Sequence, residues 1–140
     1  MAITRGTLST GTAASPAVTS PITASSLVNS GKATAPTAGT NIVTLAAPAA
    51  GLYNIEVWLS ASGTATTAAA DSNNMNLLAG ATTVATFLPF NCSTAGNVTN
   101  GGPFMIQRSL DGSTNLTVNA VGNATAGTVY AAMIVATKVA

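Results

Sequence analysis

The chain has 140 residues, about one domain's worth, and seven formally charged side chains: Arg5, Lys32, Glu56, Asp71, Arg108, Asp111 and Lys138. It has no histidine and one cysteine, and 28 Ala, 23 Thr, 13 Gly, 12 Ser and 12 Asn make up most of it. That inventory leaves nothing for histidine acid–base chemistry, too few carboxylates for a metal cage, no internal disulfide and no basic patch for nucleic acid.

Leu, Ile, Val and Phe together number 30 and the net charge is +1. Disorder of the usual kind needs high net charge, so the chain folds, but around a thin core. Association with a partner is one way to complete the burial. The start, Met1-Ala-Ile-Thr-Arg5-Gly-Thr7, lacks the apolar run of a signal peptide. No stretch approaches the roughly 20 apolar residues that span a bilayer.

Residues 1–40 read as an extended amino-terminal arm. Ser, Thr, Ala and Gly dominate it, Pro16, Pro21 and Pro36 break it, and it carries Arg5 and Lys32 with no acid. One short strand is predicted in it, around Ile22–Val28. Residues 41–140 read as a β-sandwich domain. Asn41–Leu45 is its first strand and Pro48–Gly51 a turn. Leu52–Ser62 alternates strictly, with Tyr53, Ile55, Val57 and Leu59 on one face and Asn54, Glu56, Trp58 and Ser60 on the other. Trp58 on the polar side calls for cover by the arm or by another subunit.

Gly63–Asp71 reads as a loop. Asn73–Leu78 and Thr83–Phe87 form a hairpin across Ala79-Gly80-Ala81-Thr82, and Pro89–Gly102 reads as a long polar loop holding Cys92. Phe104–Leu110 is a strand interrupted by Arg108. Asp111-Gly112 signals a hairpin turn and Asn115–Val121 the next strand. After a turn at Gly122–Gly127, Val129–Val139 is apolar on both faces, as in a central strand. Seven or eight strands joined by Gly/Asn turns, with no capped amphipathic helix, predict an all-β fold: an antiparallel β-sandwich of jelly-roll type.

Each residue that could carry chemistry has a plainer role. Asp111 suits its Asp-Gly turn, Glu56 the outer face of a strand, and Asp71 in Ala-Asp-Ser-Asn-Asn an Asx turn rather than a calcium ligand. Cys92 reads as a free thiol. The triplets beginning at Asn91, Asn97, Asn115 and Asn123 fit the glycosylation pattern, as an Asn- and Thr-rich chain does by chance. Trp58, Phe90 and Phe104 are aromatics that could stack on sugars or pack between subunits. No catalytic residue, cofactor site or metal site is predicted, and the chain does not read as an enzyme.

An ordered series of segments, Gly51-Leu-Tyr-Asn-Ile-Glu-Val-Trp-Leu59, Ala70-Asp-Ser-Asn-Asn-Met-Asn-Leu-Leu-Ala-Gly80, Val84-Ala-Thr-Phe-Leu88 and Gly127-Thr-Val-Tyr-Ala-Ala-Met-Ile-Val-Ala-Thr137, resembles small β-sandwich virion proteins of tailed bacteriophages, the capsid decoration (cement) proteins in particular. The resemblance covers residues 41–140. It implies a trimeric jelly-roll subunit on the capsid exterior, made in the host cytoplasm and bound between capsomers, with the major capsid protein as partner and no nucleic acid or membrane. The arm around Arg5 and Lys32 would touch the capsid; Trp58 and Met133 would pack subunits. The rival expectation is a head-fibre or tail-fibre domain that binds host-surface glycans.

Overall fold

The computed structural model describes residues 26–63, 71–92, 98–124 and 126–139. These residues form eight strands: β1 (Ser26–Thr34), β2 (Asn41–Leu45), β3 (Gly51–Gly63), β4 (Asp71–Ala79), β5 (Thr82–Cys92), β6 (Val98–Leu110), β7 (Leu116–Ala120) and β8 (Thr128–Lys138). They make two four-stranded antiparallel sheets, ordered β1-β8-β3-β6 (sheet A) and β2-β7-β4-β5 (sheet B). The fold is all-β, with the two sheets face to face as in a sandwich. β4 and β5 pair as a hairpin, and β3 with β6, β2 with β7 and β1 with β8 pair in turn outward from it.

Period-two alternation builds the core. From sheet A come Tyr53, Ile55, Val57 and Leu59 of β3 and Tyr130, Ala132, Ile134 and Ala136 of β8. From sheet B come Val43, Leu45, Met75, Leu77, Leu116, Val118 and Ala120. The aromatic bulk of Tyr53 and Tyr130 is balanced by alanines on the same face, so the layers interdigitate. The Tyr53 hydroxyl donates to the Ala49 carbonyl at 2.8 Å. At the open edge Phe87 of β5 meets Phe104 of β6, ring centroids 4.7 Å apart. At the opposite edge β1 leans on β2, where the Asn29 side-chain amide donates to the Thr44 carbonyl at 2.6 Å.

Several boundaries differ from the sequence reading. The strand expected around Ile22–Val28 lies at Ser26–Thr34, so these residues, assigned to the arm, are a strand of sheet A hydrogen-bonded along β8. Residues 1–25, Arg5 among them, lie outside the described residues. The long loop Pro89–Gly102 is mostly strand. β3 runs for 13 residues and offers a partner to Val98–Gly101, and that pairing overrides the poor strand propensity of Asn and Gly. Cys92 therefore ends β5, and Asp71 begins β4. Asp111-Gly112 makes no hairpin, because β6 and β7 belong to different sheets; the turn carries the chain from one layer to the other.

Candidate functional site

The outer faces of the two sheets differ in kind. Sheet B presents Thr44, Thr117, Asn76, Asn119 and Thr86, with the Thr44 and Thr117 hydroxyls 3.1 Å apart and the Thr86 hydroxyl donating to Asn76 at 2.8 Å. That face is mainly polar but only partly solvated: Thr117 is buried, the Asn119 side-chain oxygen is buried, and half-buried Leu78 stands in the row of Thr117. Sheet A presents Val28 from β1, Ala131, Met133 and Val135 from β8, Trp58 from β3 and Met105 from β6. Val28, Trp58 and Met105 are 57%, 41% and 66% exposed. β8 lies between β1 and β3 and is apolar on both sides, the pattern of a strand covered on both faces; among the described residues its inner face is buried and its outer face only half-buried.

Register fixes how these side chains meet. Trp58 stands directly opposite Met133, which stands opposite Ser30 on β1. One row along, Lys32, Ala131 and Ser60 line up; one row the other way, Val28, Val135, Glu56 and Met105 do. Beside Trp58 the face is hollowed into a groove of about 710 Å³, floored by Ala131, Ser60 and Gly101 and walled by Trp58, Met133 and Lys32. The hollow depends on small residues. At Gly102 φ is +109°, and a Cβ there would fall 2.5 Å from the Val57 carbonyl oxygen, so the edge of the groove stays bare backbone. β6 bulges here, with Gly102 and Pro103 together facing Trp58.

The residues singled out from sequence thus separate into two groups. Lys32, Trp58 and Met133 share one face, although Lys32 sits on a paired strand of the sandwich. Arg5 lies outside the described residues. Sequence reasoning sets Val135 on the face of Met133, as the structure does, but misses Val28 and Met105. Met105 carried a signal, being the apolar residue out of phase with Phe104 and Ile106; Val28 did not, because no alternation surrounds it.

The acids fall apart. Glu56 stands in the sheet A face, and Asp111 serves its turn: one carboxylate oxygen accepts from the backbone N–H groups of Ser113 (2.8 Å) and Thr114 (3.1 Å), the other from the Thr114 hydroxyl (3.0 Å). The Ser113 backbone bond, then the Ser113 and Thr114 side chains, hold the Asp111 carboxyl below its ordinary pKa. Among the described residues no three His, Cys, Asp or Glu side chains gather into a metal-binding group, and no helix is long and apolar enough to cross a membrane. Arg108, on the inward side of β6, lines a smaller cleft of about 210 Å³ with Asp111 and Thr114. Phe104 packs against Phe87 between the sheets, half-buried, rather than on an outer surface. The Cys92, Asp71 and Phe90 side chains lie outside the described residues.

No protein-family model matches the chain, and no curated protein matches it.

Proposed function

We propose that this chain is a structural virion protein, a capsid decoration protein that cements a phage head by binding between capsomers. The observation that carries the reading is the outer face of sheet A, where Val28, Trp58 and Met105 stand exposed among the described residues, set in a chain with only seven charged side chains. Such a molecule acts by burying surface, not by chemistry. The nested pairing of β1 with β8, β2 with β7, β3 with β6 and β4 with β5 supports the jelly-roll form that the resemblance implies, since a jelly roll is one long hairpin wrapped into two sheets.

On this reading the protein sits on the capsid exterior, self-associates (as a trimer, on the resemblance) and touches the major capsid protein through its amino-terminal arm, with Arg5 in the contact. It engages neither nucleic acid nor membrane. Add-back to heads that lack it is the direct test. The full chain binds at symmetry-related sites and raises the temperature at which the heads release DNA, whereas a chain lacking residues 1–25 folds but binds weakly. Heads that take up no full-length protein refute the role; unchanged binding by the truncated chain refutes the arm.

One observation favours the second reading, a fibre domain that binds host-surface glycans. Trp58 is half-exposed beside the groove, with Ser30, Ser60, Asn100 and Lys32 within reach of a sugar's hydroxyls. Quenching of Trp58 fluorescence by an oligosaccharide, together with a hit on a glycan array, would establish that reading against the first.

A further inference from the structure

We infer that the outer face of sheet A is a two-fold, self-complementary contact between copies of this chain, with Met133 on the axis, Lys32 of each copy facing the partner's Glu56, and Trp58 of each copy seated in the partner's groove. The inference deepens the proposed role, resting on its premise that the protein works through assembly, and it specifies the surface, the symmetry and the charge pairs.

The argument is geometric. Lys32 lies on β1 in the row of Ala131, and Glu56 lies on β3 in the row of Val135. β8 runs between those strands, and Met133 is halfway from Ala131 to Val135. Met133 is therefore the midpoint between the acid and the base. With about 3.3 Å per residue and 4.8 Å between strands, Lys32 and Glu56 are about 16 Å apart along the sheet. At that distance they are too far apart to pair within one copy, and their attraction is screened. Neither makes an ion pair among the described residues.

A two-fold axis parallel to the sheet, lying in the gap above Met133 and perpendicular to the Lys32–Glu56 diagonal, lays each Lys32 over the partner's Glu56 and each Glu56 over the partner's Lys32. Sheets stack about 10 Å apart, a gap that one lysine and one glutamate span together. The same operation carries Trp58 to a point over the partner's Ala131 and Ser60, which floor the groove, so the bulkiest side chain of the face meets its hollow. An isologous contact has this property: one patch complements itself. Charge, shape and apolar surface all obey a single operator.

The size of the face sets the affinity range. Four strands about 4.8 Å apart and nine residues long cover about 570 Å² per copy, or about 1,100 Å² for the pair. That lies just above the lower bound for a specific interface, so pairing is expected in the micromolar range and to depend on concentration. An isologous contact does not close a ring of three; a three-fold assembly, where it forms, uses other surfaces.

The test is the mass of the full-length protein by light scattering and sedimentation across a micromolar concentration series. Lys32→Glu and Glu56→Lys each set like charges against each other at two points and should weaken pairing by about tenfold or more, halving the mass at intermediate concentration. The double variant K32E/E56K exchanges the charges and should restore the wild-type mass. Met133→Arg places two arginines on the axis and should halve the mass irrespective of the swap. Circular dichroism and melting temperature confirm that each variant is folded, since all three positions face outward. A wild-type protein monomeric throughout, single variants of unchanged mass, or a double variant that stays dissociated would each overturn the two-fold contact. Head binding, measured separately, decides the decoration role, so either claim can fail alone.

Discussion

Replacing Gly31 with alanine tests the least visible part of the fold, the seating of β1 on β2. Gly31 faces inward from β1, and a Cβ there would collide with the Ile42 carbonyl oxygen, lying 3.2 Å from the Ile42 carbonyl carbon and 3.3 Å from the Val43 Cα. All three obstacles are backbone. β2 has little room to retreat, because Ile42 and Val43 are 5% and 4% exposed and β2 is paired to β7. Strand β1 must therefore shift outward, which strains its ladder with β8 and pulls the Asn29 amide away from Thr44. Overpacking of this kind costs about 2 kcal/mol, and for a chain of this length that lowers the melting temperature by about 8 °C. Thermal unfolding by far-UV circular dichroism, at a concentration below self-association, reads the shift. Asn29→Ala alone should cost about 1 kcal/mol. The double variant should cost less than the two effects together, because the first substitution already breaks the second's hydrogen bond. A Gly31→Ala protein melting within about 1 °C of wild type would mean that β1 does not lie on β2, and the argument for this edge of the sandwich would fail.

Leu77, fully buried between the sheets, should cost about 3 kcal/mol when truncated to alanine, measured as a lower urea midpoint with unchanged slope; a loss under about 1 kcal/mol would contradict the described core. Asp111 has a folded pKa below its unfolded value, so its contribution to stability is present at neutral pH and is lost as pH falls through the folded pKa. Melting temperatures of wild type and Asp111→Asn should accordingly differ most at neutral pH and converge in acid; a constant difference would show that the carboxylate charge plays no part in the turn. Trp58→Ser should leave the melting temperature of the dilute protein within about 2 °C, as for a surface side chain, while lowering the mass at high concentration; a collapse in stability would place Trp58 in the core instead.

How much of this was legible in the sequence varies with the physical situation of each strand. β3 was clear because one of its faces is buried and the other is not, which writes itself as alternation. β8 was recognised as central from its apolarity on both faces, and it does lie between two strands. β1 was misplaced for a specific reason. Its inward positions are Leu27, Asn29, Gly31 and Ala33, and two of these are polar or missing a side chain because β2 crowds the edge. The constraint that makes Gly31 necessary therefore erases the period that would have revealed the strand. The segment from Pro89 to Gly102 reads as a loop because Asn and Gly disfavour strands locally, whereas the length of β3, far away in sequence, gives much of it a partner. Lys32, Trp58 and Met133 were each named from sequence, but their common face depends on register, and register is a property of paired strands.

The unequal outer faces of the two sheets bear on why a core this thin suffices. The chain has few bulky apolar residues, and it places Val28, Met105, Met133, Val135 and Trp58 outside the sandwich while alanines fill inner positions of β8 and β3. A monomer would gain by the reverse arrangement, since buried apolar area is its main source of stability. Sheet B shows that this composition can make a mainly polar outer face from Thr and Asn, so the apolar residues on the outer face of sheet A are not forced by a shortage of polar ones. The distribution makes physical sense when the stable unit is larger than one chain. The core then needs only to hold two sheets in register, and the remaining burial comes from contact between molecules. On the proposed two-fold contact, the same logic accounts for the near-zero net charge, which offers little repulsion between copies, and for the position of the two charges on that face, where they would set an orientation that apolar surface alone leaves unspecified.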